Sequence, residues 1–451
     1  MTTSYRFDHL LAPSGWRSPG LVEVDDAGNI VGLPQPTTPA SDAEPIAGYA
    51  VAGMPNLHCH AFQRAMAGLA ERAGPRGDSF WTWRETMYQF VDRLTPNDLE
   101  AIAAQLYVEM LKAGYTSVGE FHYLHHAPDG CRYDDPGEMS RRIFAAAERT
   151  GIGVTLLPVL YAAAGFGGEP PGPGQRRFVT GADEFLALVS SLDRTCAGNP
   201  QLGVGIAPHS LRAVPPEILA AALDGADPRA PIHIHIAEQV KEVEDCLAWC
   251  GARPVEWLLS NAPVSERWCL VHGTHMTNSE TRALAANGAV ADLCPTTEAN
   301  LGDGLFGLPE FQSAGGRWGI GSDSNVSISP IEELRWLEYG QRLHLRKRGI
   351  TASGEALYRT ALDGGTRALG RQVGAIEVGR RADIVVLDGD HPALAGRDCD
   401  GVLDAFVFSG NVSPVRDVMV GGAWVVRDAA HRDESAITEN FRRTMNRLLG
   451  D

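Results

Sequence analysis

Two hydrophobic periods take turns along the middle of this chain. In LTPNDLEAIAAQLYVEMLKAGYT (94–116) the apolar side chains recur near the helical period, with Ala101, Leu106, Met110 and Leu111 on the stripe and Pro96 near its start. SVGEFHYL follows as a short apolar strand. EMSRRIFAAAERTG predicts a helix and IGVTLLPVLY a strand, GADEFLALVSSLDR a helix and QLGVGIAPHS a strand, PPEILAAALDG a helix and PIHIHIAE a strand. The series runs on through WCLVHGTH, SETRALAANG, VADLCPTT and RWGIGSDS. Strands alternating with helices over about 300 residues predict parallel βα units, and a closed (β/α)8 barrel is the architecture that fits.

The two ends read differently. GLVEVDDAGNIVGL predicts a hairpin with its turn at DAGN. GAIEVGRRADIVVLDGD, DAFVFSG and VRDVMVGGAWVVRD predict further short strands between Gly and Asp turns. We expect one small β-sandwich domain from both ends, with residues 1–50 and 372–430 as its parts, a catalytic barrel over 51–371, and a C-terminal helix within 431–451 around NFRRTMNRLLG. GFGGEPPGPGQRRF (165–178) breaks the alternation. It is either a plain surface loop or, as we expect, a loop over the barrel mouth, where catalytic barrels carry their long loops.

Composition narrows the partners. The chain has 451 residues, 44% hydrophobic and 21% charged, which leaves room for one barrel and a smaller domain. A net charge of −17 argues against nucleic acid and anionic membrane. It does not argue against an acidic small molecule, because a few local arginines override the global field. The eight cysteines include no CxxC pair and predict reduced thiols in a cytoplasm. MTTSYRFDHLL lacks the basic-then-apolar pattern of a signal peptide, and no run approaches the ~18 apolar residues of a membrane span.

The predicted strands end in a concentration of metal-binding residue types. MPNLHCH places His58 and His60 two residues apart, on one face of a strand. The APHS strand ends in His209, PIHIHIAE carries His233, His235 and Glu238, CLVHGTH carries His272, and WGIGSDS carries Asp323. Strand C-termini converge on one barrel mouth, so these residues are brought together. His58, His60, His235 and Asp323 supply the N and O donors that Zn2+ takes, although Fe2+ or Mn2+ fills similar sites. His233, two residues before His235, is the competing ligand and reads better as a core histidine. Glu238 lies where the strand has become a loop and can reach substrate without binding metal. His125 and His126 are expected on the surface, His275 is expected to be structural, and LRKRG (345–349) reads as a charged helix end.

HxH after the first strand, HIHIAE, HGTH and GSDS together resemble the amidohydrolase superfamily. MPNLHCHAFQRAMAGLAE, SFWTWRETMYQF, EMLKAGYTSVGEFHYLHH, GFGGEPPGPGQRRF, APHSLRAV and IHIHIAEQ resemble, within it, the deaminases of N-formimino-L-glutamate. The resemblance spans nearly the whole chain. It implies a cytoplasmic homodimeric hydrolase of histidine breakdown, with a small dicarboxylate as substrate. Some members bridge two metals with a carboxylated lysine at a strand end. The three lysines here, Lys112, Lys241 and Lys347, fall elsewhere, and His209 ends the strand concerned, which favours one metal.

The resemblance also implies roles. Arg84 in WTWRE and Arg212 in PHSLRAV match substrate-binding arginines, suited to carboxylates by paired hydrogen bonds. Without it, Arg84 reads as a surface arginine stacked on Trp83, and Arg212 as a solvated helix-start charge. Gln63, Tyr123 and His209 fall at matching positions, and Arg176 and Arg177 are further anion-binding candidates. Glu238, His272 and Asp323 are the expected catalytic residues. Two rival readings are a single-metal deaminase of a nucleobase or S-adenosylhomocysteine, which wants a neutral aromatic pocket, and a non-catalytic scaffold, which is expected to have lost ligands.

Overall fold

The structure is a computed structural model that describes residues 2–35, 42–71 and 80–450. Residues 36–41 of the expected N-terminal β part, and Ser79 of SFWTWRETMYQF, lie outside the described residues. The barrel strands, in order, are Met54–Cys59, Tyr115–His122, Gly153–Leu160, the split pair Leu202–Val204 and Ala207–Pro208, Ile232–Ile236, Trp268–His272, Val290–Leu293 and Arg317–Ile320. All pair in parallel. Isolated bridges close the ring: Ile206 to Ile232 and Ser210 to His235 join the fourth strand to the fifth, and Cys59 to Asp323 joins the eighth to the first. The barrel strands are buried on both faces, which is why they read as apolar runs without alternation.

The helices cover the barrel for local reasons visible in the sequence. Thr95 caps Pro96–Ala113 by accepting from the Asp98 N–H, while Asp98 accepts from the Thr95 N–H at 2.8 Å. Gly114 ends that helix in the left-handed conformation. The helix Gly354–Ala368 carries the pair Gly364 and Gly365, which lets it lie on the barrel wall. A Cβ at Gly364 would come 2.0 Å from the Trp318 carbonyl oxygen.

Both chain ends build one nine-stranded sheet, as expected. Its strands come from residues 2–52 and 384–431, with Glu44–Ala52 running between Thr2–Ala12 and Ile384–Leu387. The sheet bends back so that distant strands meet: Asn29 bridges Arg381, and Tyr5 packs edge-on against Trp424 at 5.8 Å. The helix Glu434–Leu449 returns to the barrel, where Glu434 pairs with Lys112 and Thr438 donates to Gln105. DAFVFSG, expected as a strand, is instead the short helix Val402–Phe408. It is wedged against two longer helices, with Arg335 donating to the Val407 carbonyl and the Gly354 N–H donating to Asp404. Burial of nearly all its sides erased the helical period.

Alanine ordinarily favours a helix over glycine. At Gly364 the close approach reverses the sign. Gly364→Ala is expected to lower stability by about 3 kcal/mol, against about 1 kcal/mol for Thr95→Ala. Denaturant unfolding measures both. A neutral or stabilising Gly364→Ala removes close packing as the reason for that glycine.

Candidate metal centre and substrate pocket

The mouth is assembled from strand ends. His58 and His60 leave the first strand on one face, and Cys59 between them turns away toward Asn325. His235 sits near the end of the fifth strand, His272 ends the sixth, and Asp323 follows the eighth. Ala237, His272 and Asp323 have φ of 51°, 71° and 44°, a left-handed backbone that non-glycine residues adopt at a cost. The strain turns the chain sharply just where these side chains must face the axis. It is held by the bonds around it: the Gly273 N–H donates to Ile236, and the Asn325 amide donates to the His60 and Asp323 carbonyls at 3.0 Å.

The geometry fixes the tautomers of His60 and His235. His60 Nδ1 lies 2.9 Å from the Phe121 carbonyl, and His235 Nδ1 lies 3.1 Å from the His209 carbonyl. A carbonyl only accepts, so both Nδ1 atoms carry hydrogen. Burial holds all three rings neutral: it depresses His58 to about 3, and lowers His60 and His235. Their Nε2 atoms converge. His58 Nε2 is 3.1 Å from both the His60 and the His235 Nε2. Asp323 Oδ1 adds a fourth donor, 3.5 Å from His58 Nε2 and 3.3 Å from His60 Nε2. The His60 and His235 lone pairs thus face His58, and His60 also faces the Asp323 carboxylate. Zn–N and Zn–O distances near 2.0–2.1 Å place tetrahedral donors about 3.3 Å apart. The donor set therefore fits a metal ion.

Acids and a cation surround this cluster. Burial would raise the Asp323 carboxyl, but His58, His272 and His60 beside it hold it below the usual carboxylate range. Burial alone would depress His272. Glu238, Glu298 and Asp323 outweigh it and raise the ring. His272 Nδ1 is 3.3 Å from Glu298 Oε1, and its Nε2 is 3.7 Å from Asp323 Oδ2 and 3.9 Å from Glu238 Oε1. Glu238 is pushed up to about 7, chiefly by burial. Arg212 approaches its other oxygen at 4.0 Å. The arrangement joins a Lewis-acid site to an acid that holds or releases a proton near neutrality.

A pocket opens above the centre, lined by Gln63, Arg84, Tyr123, His209 and Arg212 together with His60, His235, Glu238, His272 and Asp323. His58 lies deeper, fully buried. Gln63 donates to the Tyr123 hydroxyl at 2.9 Å, and His209 lies 3.0 Å from Ser210 Oγ, its ring kept neutral by burial. Arg84 stacks on Trp81 at 4.5 Å and near Tyr88 at 5.7 Å, rather than on Trp83.

Some expected residues lie elsewhere. His233 is a layer deeper and contacts the Ala368 carbonyl at 2.8 Å. Arg177 is fully buried and spends its guanidinium on the His126, Val91 and Leu94 carbonyls. Arg176 serves the Pro128 and Pro173 carbonyls and Asp92. Neither lines the pocket. His125 and His126 are buried, not exposed. Their Nε2 atoms meet the Val159 and Val179 carbonyls at 2.8 Å, bracing the third strand and the residue after Phe178. Segment 165–178 reaches the mouth through Phe178, which lines the pocket. Lys112 and Lys241 are ion-paired to Glu434 and Asp245, away from the strand ends.

Sequence reading missed Tyr88, Tyr161, Glu298 and Asn325. Tyr88 lies one helical turn after Arg84 on Phe80–Val91, a spacing that could have found it. Tyr161 follows the third strand directly. Glu298 gave no signal, because its neighbours are set by the fold.

Known proteins are similar to this chain in sequence and in fold. The amidohydrolase family profile matches residues 49–425. The chain is 52% identical over 450 residues to a formimidoylglutamate deiminase from Pseudomonas aeruginosa, covering 98% of each. An amidohydrolase crystal structure from Brucella melitensis superposes with a TM-score of 0.94 at 46% identity, covering 99% of this chain and 100% of that one. A zinc-bound adenosine deaminase structure from Xanthomonas campestris shares the fold at a TM-score of 0.83 and 20% identity, covering 100% and 99%. The chain belongs to the amidohydrolase family.

Proposed function

We propose that this chain is a zinc-dependent hydrolytic deaminase that converts N-formimino-L-glutamate and water to N-formyl-L-glutamate and ammonia. The observation that carries this reading is the pair Arg84 and Arg212 in one pocket with the buried acid Glu238 and the histidine cluster. The substrate has two carboxylates and an amidine-like head, and the pocket offers two guanidiniums and an acid. The named activity of the Pseudomonas aeruginosa relative supports the same choice. The two guanidiniums count against a neutral nucleobase.

His58, His60, His235 and Asp323 would hold one metal. When bound, it acidifies water and polarises the electrophile. Arg84 and Arg212 bind the carboxylates and orient the head. Asp323, or His272 once its ring is neutral, takes the proton of the attacking water, and protonated His272 stabilises charge on the tetrahedral intermediate. Glu238 hands a proton to the terminal nitrogen, whose bond to carbon breaks as ammonia leaves. Gln63, Tyr123 and His209 complete the hydrogen bonding to substrate. We also assign the barrel, 51–371, as the catalytic unit between the two β parts and the C-terminal helix, and infer a cytoplasmic homodimer. Among the described residues, no helix is long and apolar enough to cross a membrane.

Glu238→Gln is expected to keep full metal content, measured by atomic emission, and to lose about 10²–10⁴-fold in turnover. Full activity in that variant sinks the acid assignment. Arg84→Ala and Arg212→Ala are each expected to lower kcat/KM about tenfold to a hundredfold, mainly through KM. An unchanged KM in both removes the carboxylate role. Chelation is expected to abolish ammonia release, with recovery on adding Zn2+. Persistent activity without metal overturns the proposal.

A further inference from the structure

Segment 165–178 touches two phenols that the proposed chemistry leaves unused. Gln175 lies in its short turn Pro173–Gln175 and is buried. Its Oε1 accepts from the Gly172 N–H at 2.7 Å, and its Nε2 lies 2.6 Å from the Tyr161 hydroxyl. Reversing the amide would set its NH2 against the Gly172 N–H, donor against donor. The NH2 therefore faces Tyr161, whose oxygen accepts, and the Tyr161 proton is left for another group. Tyr161 is itself buried, so that proton must find its acceptor within the pocket.

Tyr88 is the neighbouring phenol. The Gly174 backbone packs on its ring. Its hydroxyl is held protonated by burial and then by Tyr161, against the pull of Arg84 and Arg212. Both phenols line the pocket, and a contact between them uses at most one O–H, so one remains. This free O–H and the two guanidiniums form a donor-rich corner, suited to a carboxylate. Arg212 adjoins Glu238, near the reacting nitrogen. Arg84, one helical turn from Tyr88, is left for the more distant group.

We propose that the Tyr88–Tyr161 pair, set by Gln175, donates the hydrogen bond that recognises the substrate carboxylate farther from the reacting nitrogen, so that segment 165–178 fixes the preference for a dicarboxylate. This rests on the dicarboxylate reading above. Tyr161 and Tyr88 contact the substrate, and Gln175 is a positioning residue.

The test compares wild type, Tyr161→Phe and Gln175→Leu on N-formimino-L-glutamate and on formiminoglycine, which lacks the second carboxylate. Calorimetry with glutarate is the readout independent of turnover. The ratio of kcat/KM between the two substrates is expected to fall about tenfold to a hundredfold in Tyr161→Phe, through KM, and in the same direction in Gln175→Leu. Glutarate affinity is expected to fall in parallel. An unchanged ratio, or an equal loss of kcat on both substrates, overturns the inference, as does failure of wild type to bind glutarate. Wild type that binds glutarate with the expected variant losses, yet releases no ammonia from N-formimino-L-glutamate, supports the donor corner and overturns the proposed activity instead.

Discussion

Three neutral imidazoles and a carboxylate, buried with their donor atoms turned on one another, impose the constraint on which this structure depends. Burying a polar group without a partner costs free energy, and burying an unpaired carboxylate costs more. The Phe121 and His209 carbonyls take the Nδ1 hydrogens of His60 and His235, so their Nε2 atoms have nothing to donate to Asp323. A dication satisfies all four donors together. The barrel therefore holds these donors in one arrangement, and the rest of the mouth is organised around doing so.

The rigidity comes from parallel strands and from polar side chains behind the site. Ser322 and Asp323 donate their N–H groups to the His58 carbonyl, which locks the eighth strand end to the first. Asn56 accepts from the Ser322 N–H at 3.0 Å and donates to its hydroxyl at 2.7 Å. Asn325 ties the same turn to His60. None of these groups faces the pocket. They restrict the donors to one geometry, and they hold the left-handed backbone at Asp323 that aims its carboxylate inward.

This division explains what could be read from sequence. The spacing of His58 and His60 survives translation into structure because a strand has period two, and His235 and Asp323 announce themselves as polar residues ending apolar runs. Arg84 and Arg212 were ambiguous, since an arginine beside aromatics looks alike on a surface and in a pocket. Arg177, His125 and His126 misled for the opposite reason. Their hydrogen-bond partners are main-chain carbonyls far away in sequence, which no side-chain pattern encodes. The misread Val402–Phe408 shows the same limit: a short segment buried on nearly every side keeps its composition and loses its period.

Charge makes the same point at the scale of the whole molecule. A chain of net charge −17 repels a dicarboxylate at long range, yet the pocket presents guanidiniums to it. Salt screens distant charges over about 10 Å, whereas a group inside a buried pocket acts nearly unscreened. In that setting His272, and after it Arg212, pull Glu238 down while burial pushes the acid up. Burial wins, leaving an acid poised near neutrality beside a metal centre. The same groups exposed to water would be screened, and the balance would be lost.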